Sequence, residues 1–235
     1  MALPNINQQT FELEVPSTDE IIKYRPFLVK EEKVLLQAQE SGKTKDQIEA
    51  IKTIIDNCTF GKVNVDELPS FDLEYIFLNI RSKSVGETVK LKVRAPDDNE
   101  TMVPVEVDLS KVNVHVDVDH TNKIELTKDA GLVMTYPTMD MFMDANLSNP
   151  STDEMLDVIS KCILQIYNGD EVFDKASTSD KDRKDFIENL TQEQFLKLQH
   201  FFKTMPKLKH EVKVTNPKTK KENTIKLEGL AAFFN

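Results

Sequence analysis

Leu68-Pro69-Ser70-Phe71-Asp72-Leu73-Glu74-Tyr75-Ile76-Phe77-Leu78 leads through Lys83-Ser84-Val85-Gly86-Glu87 into Val89-Lys90-Leu91-Lys92-Val93. In the first part Leu73, Ile76, Phe77 and Ile80 recur at helical spacing, and Pro69 blocks backward extension, so a helix starts at Ser70. In the second part Val89, Leu91 and Val93 alternate with Lys90, Lys92 and Arg94, the period of a half-buried strand. Lys83 to Gly86 reads as the turn between them. A helix feeding a hairpin in this way argues for an α+β fold.

Working outward, Pro96-Asp97-Asp98-Asn99 is a turn and Val103, Val105 and Val107 form the returning strand. Val112, Val114, Val116 and Val118 alternate as strictly, Asp119 to Asn122 turns the chain into Ile124-Glu125-Leu126, and Leu132 to Tyr136 reads as a further strand. Towards the N-terminus, Phe11, Leu13 and Val15 alternate as a short strand or extended arm. Ser17 or Thr18 is expected to cap a helix that Pro26 bends or restarts, ending at Ser41-Gly42. Thr44 with Gln47 reads as a capping box for a helix striped by Ile48, Ile51, Ile54 and Ile55.

Towards the C-terminus, Ser151 or Thr152 caps an apolar segment from Met155 to Tyr167, read as one helix closed by Asn168-Gly169, and Asp174 to Asp182 reads as a loop. Thr191 with Gln194 caps a helix bearing Phe195, Leu198, Phe201 and Phe202, which stops before Pro206. Val212 and Val214 then turn at Asn216-Pro217-Lys218-Thr219 into Ile225 and Leu227, and Leu230 to Phe234 forms a short terminal helix. The expected organisation is a helical segment over 1–87, a β-hairpin meander over 88–137, and a helical segment over 138–235 with a basic hairpin at 208–228, read as one integrated unit.

The 235 residues suffice for a sizeable core, although only 39% are apolar and 30% are charged. A net charge of −10 disfavours nucleic-acid binding, because phosphates repel an acidic surface. The charge is uneven: between Asp97 and Asp144 eleven acids face three lysines, and between Lys203 and Lys226 eight lysines face two glutamates. Two readings stay open, solvated arms or complementary surfaces that dock copies or neighbours. Cys58 and Cys162 both fall in apolar helical patterns and read as small buried hydrophobes in a reducing compartment. No run is apolar enough for a membrane span, so no membrane insertion is expected.

Catalytic patterns are sparse. His115, His120, His200 and His210 stand apart from any nucleophile motif, and the six glycines build no phosphate-cradling loop. Asp117 and Asp119 with His115 or His120 offer metal-ligand types, yet alternating acids on a strand face read better as solubility. An enzyme assembled from distant carboxylates or histidines, and a nucleic-acid module using the lysine-rich hairpin, are the competing readings. The adjacent rings Phe201-Phe202 and Phe233-Phe234 are suggestive, since a helix cannot point neighbours the same way: either one ring of each pair serves an interface or both pack inside.

The stretch Leu68 to Glu87 resembles a baseplate family of T-even-type contractile-tailed phages that includes a baseplate hub subunit and a related hub assembly catalyst. Tyr24 to Leu36, and Thr224-Ile225-Lys226-Leu227-Glu228-Gly229-Leu230 with Phe233-Phe234, resemble it too. The resemblance implies a non-enzymatic hub component or hub assembly factor, present in the host cytoplasm during assembly and in the virion if structural. Its implied partners are other baseplate or hub proteins, a homo-oligomer remaining open, with no cofactor. It also implies knuckle-like hairpin tips, which carry Cys pairs in some members; the tips here, Arg94 to Asp98 and Thr215 to Thr219, hold no thiolate, so no metal is assigned. Candidate interface residues are Phe71, Tyr75, Asp117, Asp119, Phe202, Lys218, Lys220, Lys221, Phe233 and Phe234.

Overall fold

The structure is a computed structural model whose description covers residues 8–142 and 151–233. Strands β1 (Phe11–Glu14) and β2 (Ile21–Tyr24) precede helices α1 (Val29–Ser41), α2 (Thr44–Cys58) and α3 (Ser70–Val85). Strands β3 (Thr88–Arg94), β4 (Met102–Asp108), β5 (Asn113–His115), β6 (Lys123–Glu125) and β7 (Ala130–Met134) follow. Then come α4 (Thr152–Cys162), β8 (Ile163–Asn168), β9 (Glu171–Asp174), α5 (Asp180–Glu188), α6 (Gln192–Thr204), β10 (Lys207–Thr215), β11 (Glu222–Glu228) and a closing 3-10 turn at Leu230–Phe233. Every strand pair is antiparallel, which makes the chain α+β as its periodicities predict.

Several local expectations are corrected. No helix starts at Ser17 or Thr18. Val15 N–H donates to Glu20 C=O at 2.8 Å and Asp19 sits at φ 58°, closing a turn that returns β2 against β1. Ile21 and Ile22 favour the strand, and the Pro26 ring keeps Arg25 from helical geometry. Thr44 makes no capping box, since Lys43 holds the cap position and Thr44 already lies inside α2. Lys83 to Val85 is not a turn but the last helical residues of α3, which stops where Gly86 takes φ 120°.

The apolar segment from Met155 to Tyr167 is not one helix. Ser151 caps α4 with a reciprocal bond to Glu154, but the helix ends at Cys162 and the chain continues as β8. Ile163, Ile166 and Tyr167 are strand formers, and β7 supplies the partner, with Leu132 opposite Ile166 and Gly131 opposite Tyr167. The loop expected over Asp174 to Asp182 contains the start of α5, capped by Ser179. The caps at Gly42, at φ 65°, and at Thr191 are as expected.

Contacts group the chain into two units, one running to His115 and resuming at Lys207, the other Val116–Pro206. This grouping cuts across the three consecutive stretches read from the sequence, because the second unit is an insertion into the first. The strands of the middle third accordingly serve three sheets: β3 pairs β4, β5 pairs β10, and β6–β7 pair with β8–β9.

In the first unit α3 is the spine, with Leu73, Leu78, Ile76 and Ile80 all at 0% exposure. Ile54 and Ile55 of α2 are equally buried, and Ile48 adds to the stripe. Arg25 and Glu31, both buried, form an ion pair at 3.0 Å, and Glu31 also accepts from the Leu28 N–H at the start of α1. β5 pairs with β10, so His115 and Lys207, where the chain leaves and re-enters this unit, lie directly opposite each other.

The second unit is a four-stranded sheet in the order β6-β7-β8-β9. One face is covered by helical side chains: Leu132, Met134 and Ile124 of the sheet pack with Ile159 and Cys162 of α4, Ile187 of α5, and Leu198 and Phe201 of α6. On the other face Gly131 lets the Tyr167 ring lie across the sheet, for a Cβ there would sit 2.3 Å from the Tyr167 hydroxyl and from the Ile124 carbonyl oxygen. Both cysteines are free and buried.

Candidate docking surfaces

The β3–β4 and β10–β11 hairpins of the first unit end in tips built the same way. In one, Ala95 N–H donates to Thr101 C=O at 2.8 Å and Asn99 N–H to Ala95 C=O at 3.0 Å. In the other, Asn216 N–H donates to Lys221 C=O at 2.9 Å and Lys220 N–H to Asn216 C=O at 2.9 Å. Each begins with a fully buried residue, Ala95 or Asn216, followed by proline, and ends in a left-handed residue, Asn99 at φ 54° and Lys220 at φ 63°. A polar side chain stiffens each turn from within. Asp98 accepts from the Glu100 and Thr101 N–H groups, both at 3.0 Å, and Asn216 Oδ1 accepts from the Lys218 N–H at 2.8 Å.

Asp97 ties the two tips together. Its carboxylate accepts from Asn216 Nδ2 at 2.9 Å, from Asn223 Nδ2 at 3.0 Å and from the Thr219 hydroxyl, while Lys218 reaches Glu100 at 3.2 Å. The Thr219 hydroxyl bond, followed by the Asn216 amide, holds the Asp97 carboxyl below its usual range. Bonds from Thr101 hold Asp98 far below its own. These residues do not suit zinc: no thiolate or imidazole stands at either tip, and the Asp97 oxygens are engaged by neutral donors. Amide and hydroxyl bonds to one carboxylate therefore do the closing here.

The lysines of the basic hairpin are also engaged internally. Lys209 faces Glu228, Lys226 faces Glu211 and Lys213 faces Glu222, at 3.7 to 3.9 Å across the strands. Pairs this open to solvent contribute little each, the half-buried Lys209 least screened among them, yet they lower the positive potential that the lysine count suggests. Lys218, Lys220 and Lys221 remain exposed at the tip.

The other candidate residues divide by burial. Phe71 at 3% and Phe233 at 0% exposure are core side chains of the first unit, so neither serves as an interface residue. Tyr75 and Phe202 are half-buried, and Phe234 lies outside the described residues. Phe202 packs edge-on against the buried Phe201 ring, with centroids 5.0 Å apart. Asp117 is half-buried and Asp119 exposed, with Asp119 3.1 Å from His200 Nε2. Val116 and Val118, expected in a strand, are exposed instead.

His120 is built into the second unit as a structural group. Its Nδ1 lies 3.0 Å from the Thr204 hydroxyl and its Nε2 3.0 Å from the Tyr136 hydroxyl, and its ring stacks with Tyr136 and leans on Phe201. Thr204 donates its own hydrogen to the His200 carbonyl at 2.8 Å, so its oxygen accepts from His120 Nδ1–H and leaves Nε2 to accept from Tyr136. Burial lowers the His120 pKa, which suits this neutral ring.

Two carboxyls on α3, the buried Asp72 and the half-buried Glu74, eluded the sequence reading. Asp72, at 0% exposure, accepts from the Ser17 N–H at 3.2 Å, and among the described residues its Oδ2 has no partner. Burial raises Asp72 to about 6 and Glu74 to about 7. Asp72 thus anchors the β1–β2 turn to the first turn of α3. No group of three or more metal-ligating side chains is assembled among the described residues, and no helix among them is long and apolar enough to cross a membrane.

No curated protein and no solved structure matches the chain significantly. A family model does, from the N-terminal strand to the last residue, spanning the helix-to-hairpin stretch and both clasped tips. Over residues 7–235 the chain matches the T4 bacteriophage base plate protein family, and it belongs to that family.

Proposed function

We propose that this chain is a non-enzymatic component of the contractile-tail baseplate, acting at the hub as a subunit or an assembly factor, and that it works by docking to other phage proteins. The family match over nearly the whole chain carries this reading. The geometry supports it. The histidine best placed for chemistry, His120, has both ring nitrogens committed to structural hydroxyls. The buried acid Asp72 lies on the spine helix of the first unit, where burial keeps it from substrate.

The clasped tips present Lys218, Lys220 and Lys221 beside the acids Asp97 and Glu100, a mixed-charge knob that favours protein surfaces over a polyphosphate. Candidate contacts are these three lysines with Tyr75, Asp117, Asp119 and Phe202. Quantitative mass spectrometry of purified virions separates the two hub roles. A stoichiometric signal assigns a subunit, and absence from particles whose assembly requires the chain assigns an assembly factor. Particles that assemble normally without the chain and do not contain it overturn the reading. Replacing Lys218, Lys220 and Lys221 by Glu is expected to lower tail yield in complemented infections; an unchanged yield removes the tip from the docking surface.

A further inference from the structure

The sheet edges of this molecule are not equally protected. The β6 edge is capped by Lys197, which donates to the Glu125 carbonyl at 3.0 Å, and β11 exposes Glu222, Thr224, Lys226 and Glu228. β9 is different. It is the last strand of its sheet, all four of its residues are exposed, and its centre is an apolar pair, Val172 at 55% and Phe173 at 44% exposure. It has no proline, lysine or bulge among the usual guards of a free edge; its protection is its short length and, at its C-terminal end, the Ser177 and Thr178 hydroxyls, which donate to the Asp174 carbonyl at 2.8 and 3.1 Å. Alternation sends the two side chains to opposite faces. Phe173 pairs with Ile166 and lines, with Phe186 of α5, a groove of about 420 Å³, while Val172 pairs with Tyr167 on the other face.

We propose that β9 is a strand-addition site for an extended segment of another protein, one in which two adjacent apolar residues lie between basic residues. The backbone edge would continue the sheet, one apolar side chain would enter the Phe173 groove, and its neighbour would cover Val172 beside Tyr167, whose ring carries the Lys123 ammonium 5.3 Å from its centroid. The flanking charge identifies the occupant. Glu171 and Asp174 bracket the apolar pair. A second copy is disfavoured by the same residues, for antiparallel self-pairing centred on the apolar pair sets Glu171 against the other Asp174, and in-register parallel pairing sets each acid against itself. This inference deepens the docking role proposed above and rests on it.

The test uses the full chain and a synthetic peptide with two adjacent valines flanked on each side by lysine, against the same peptide flanked by glutamate. Nuclear magnetic resonance shifts on titration are expected to concentrate at Glu171–Asp174, with the glutamate version about tenfold weaker or more. The double substitution Glu171→Lys with Asp174→Lys is expected to invert that preference, and an unchanged thermal melt shows that the variant is folded. Equal binding of the two peptides, shifts elsewhere, no binding, or a preference that survives the double substitution overturns the proposal. Dimerisation on raising the concentration of the chain, abolished by Val172→Lys, overturns it in favour of a second copy. None of these results alters the virion measurement, so this site and the baseplate role fail separately.

Discussion

The clasped tips of the first unit and the β9 edge of the second both carry acids at the surface, and they use them in opposite ways. At the tips, Asp97 and Asp98 are saturated by Asn216, Thr219, Asn223, Thr101 and backbone N–H groups, so their charge is spent on holding two hairpins in register. At the edge, Glu171 and Asp174 flank apolar side chains that nothing covers. Hydrogen bonds tie the tip acids across two hairpins, while at the edge Asp174 is engaged within its own strand pair, by Gln165 Nε2 at 2.6 Å, beside an apolar pair left exposed. Charge counts alone do not distinguish these cases; the positions of the donors do.

The largest effect is expected from removing what supports the edge. Phe201→Ala deletes a fully buried ring of the second unit's core and should cost about 3–5 kcal/mol in urea denaturation. Amide protection should fall in β6 to β9 while the clasp keeps its own. A matching loss at Asn216 to Lys221 breaks the separation of the two regions.

The first unit has its own weak point in the buried pair of Arg25 and Glu31. Glu31→Ala leaves the buried guanidinium its bonds to the Pro26 carbonyl and Cys58 Sγ but no carboxylate there to balance its charge, and should cost about 3 kcal/mol in the same assay. It also removes the acceptor for the Leu28 N–H, so fraying of α1 should accompany the loss.

A smaller, pH-dependent effect belongs to α3. Asp72 and Glu74 titrate in the folded chain at about 6 and about 7, above their ordinary values, so the folded state holds protons that the unfolded chain releases. Their contribution to stability therefore rises as pH falls from 8 through this range and levels off near the ordinary carboxyl pKa of about 4. The wild-type chain should gain more in melting temperature between pH 8 and 5.5 than the Asp72→Asn, Glu74→Gln variant. An equal change in the two proteins refutes the assignment.

The smallest effect is local to the clasp. Asp97→Ala removes the acceptor shared by Asn216, Thr219 and Asn223, and amide exchange should quicken at both tips with the global melt little changed. Because the Asp97 carboxyl is held below its usual range, wild-type protection at the tips should persist above about pH 4 and fade as pH drops through the folded value. Tips whose exchange is indifferent to Asp97 contradict its role.

The sequence made the clasp half visible. Proline after Ala95 and after Asn216, with turn formers on each side, marks two tips of one kind. That Asp97 joins them was hidden, since 119 residues separate it from Asn216 and no periodicity reports contacts of that range. The α3–β3–β4 stretch was legible because helix and strand periods there agree with burial.

The β9 edge was not legible, for a physical reason. Ile163 to Tyr167 extends the apolar pattern of α4 without a break, and only pairing with β7 makes it a strand. With that segment helical by its pattern, Val172 and Phe173 have no sheet to border. Phe71 and Phe233 illustrate the converse error: large rings in a matched motif invite an interface reading, yet both are core.

The account is tested most directly by hydrogen exchange on the chain alone and on the chain within isolated baseplates or assembly intermediates. It predicts new protection at Glu171 to Asp174 on incorporation, whatever the clasped tips gain from their own contacts. A β9 edge as open in the assembly as in the free chain would contradict it.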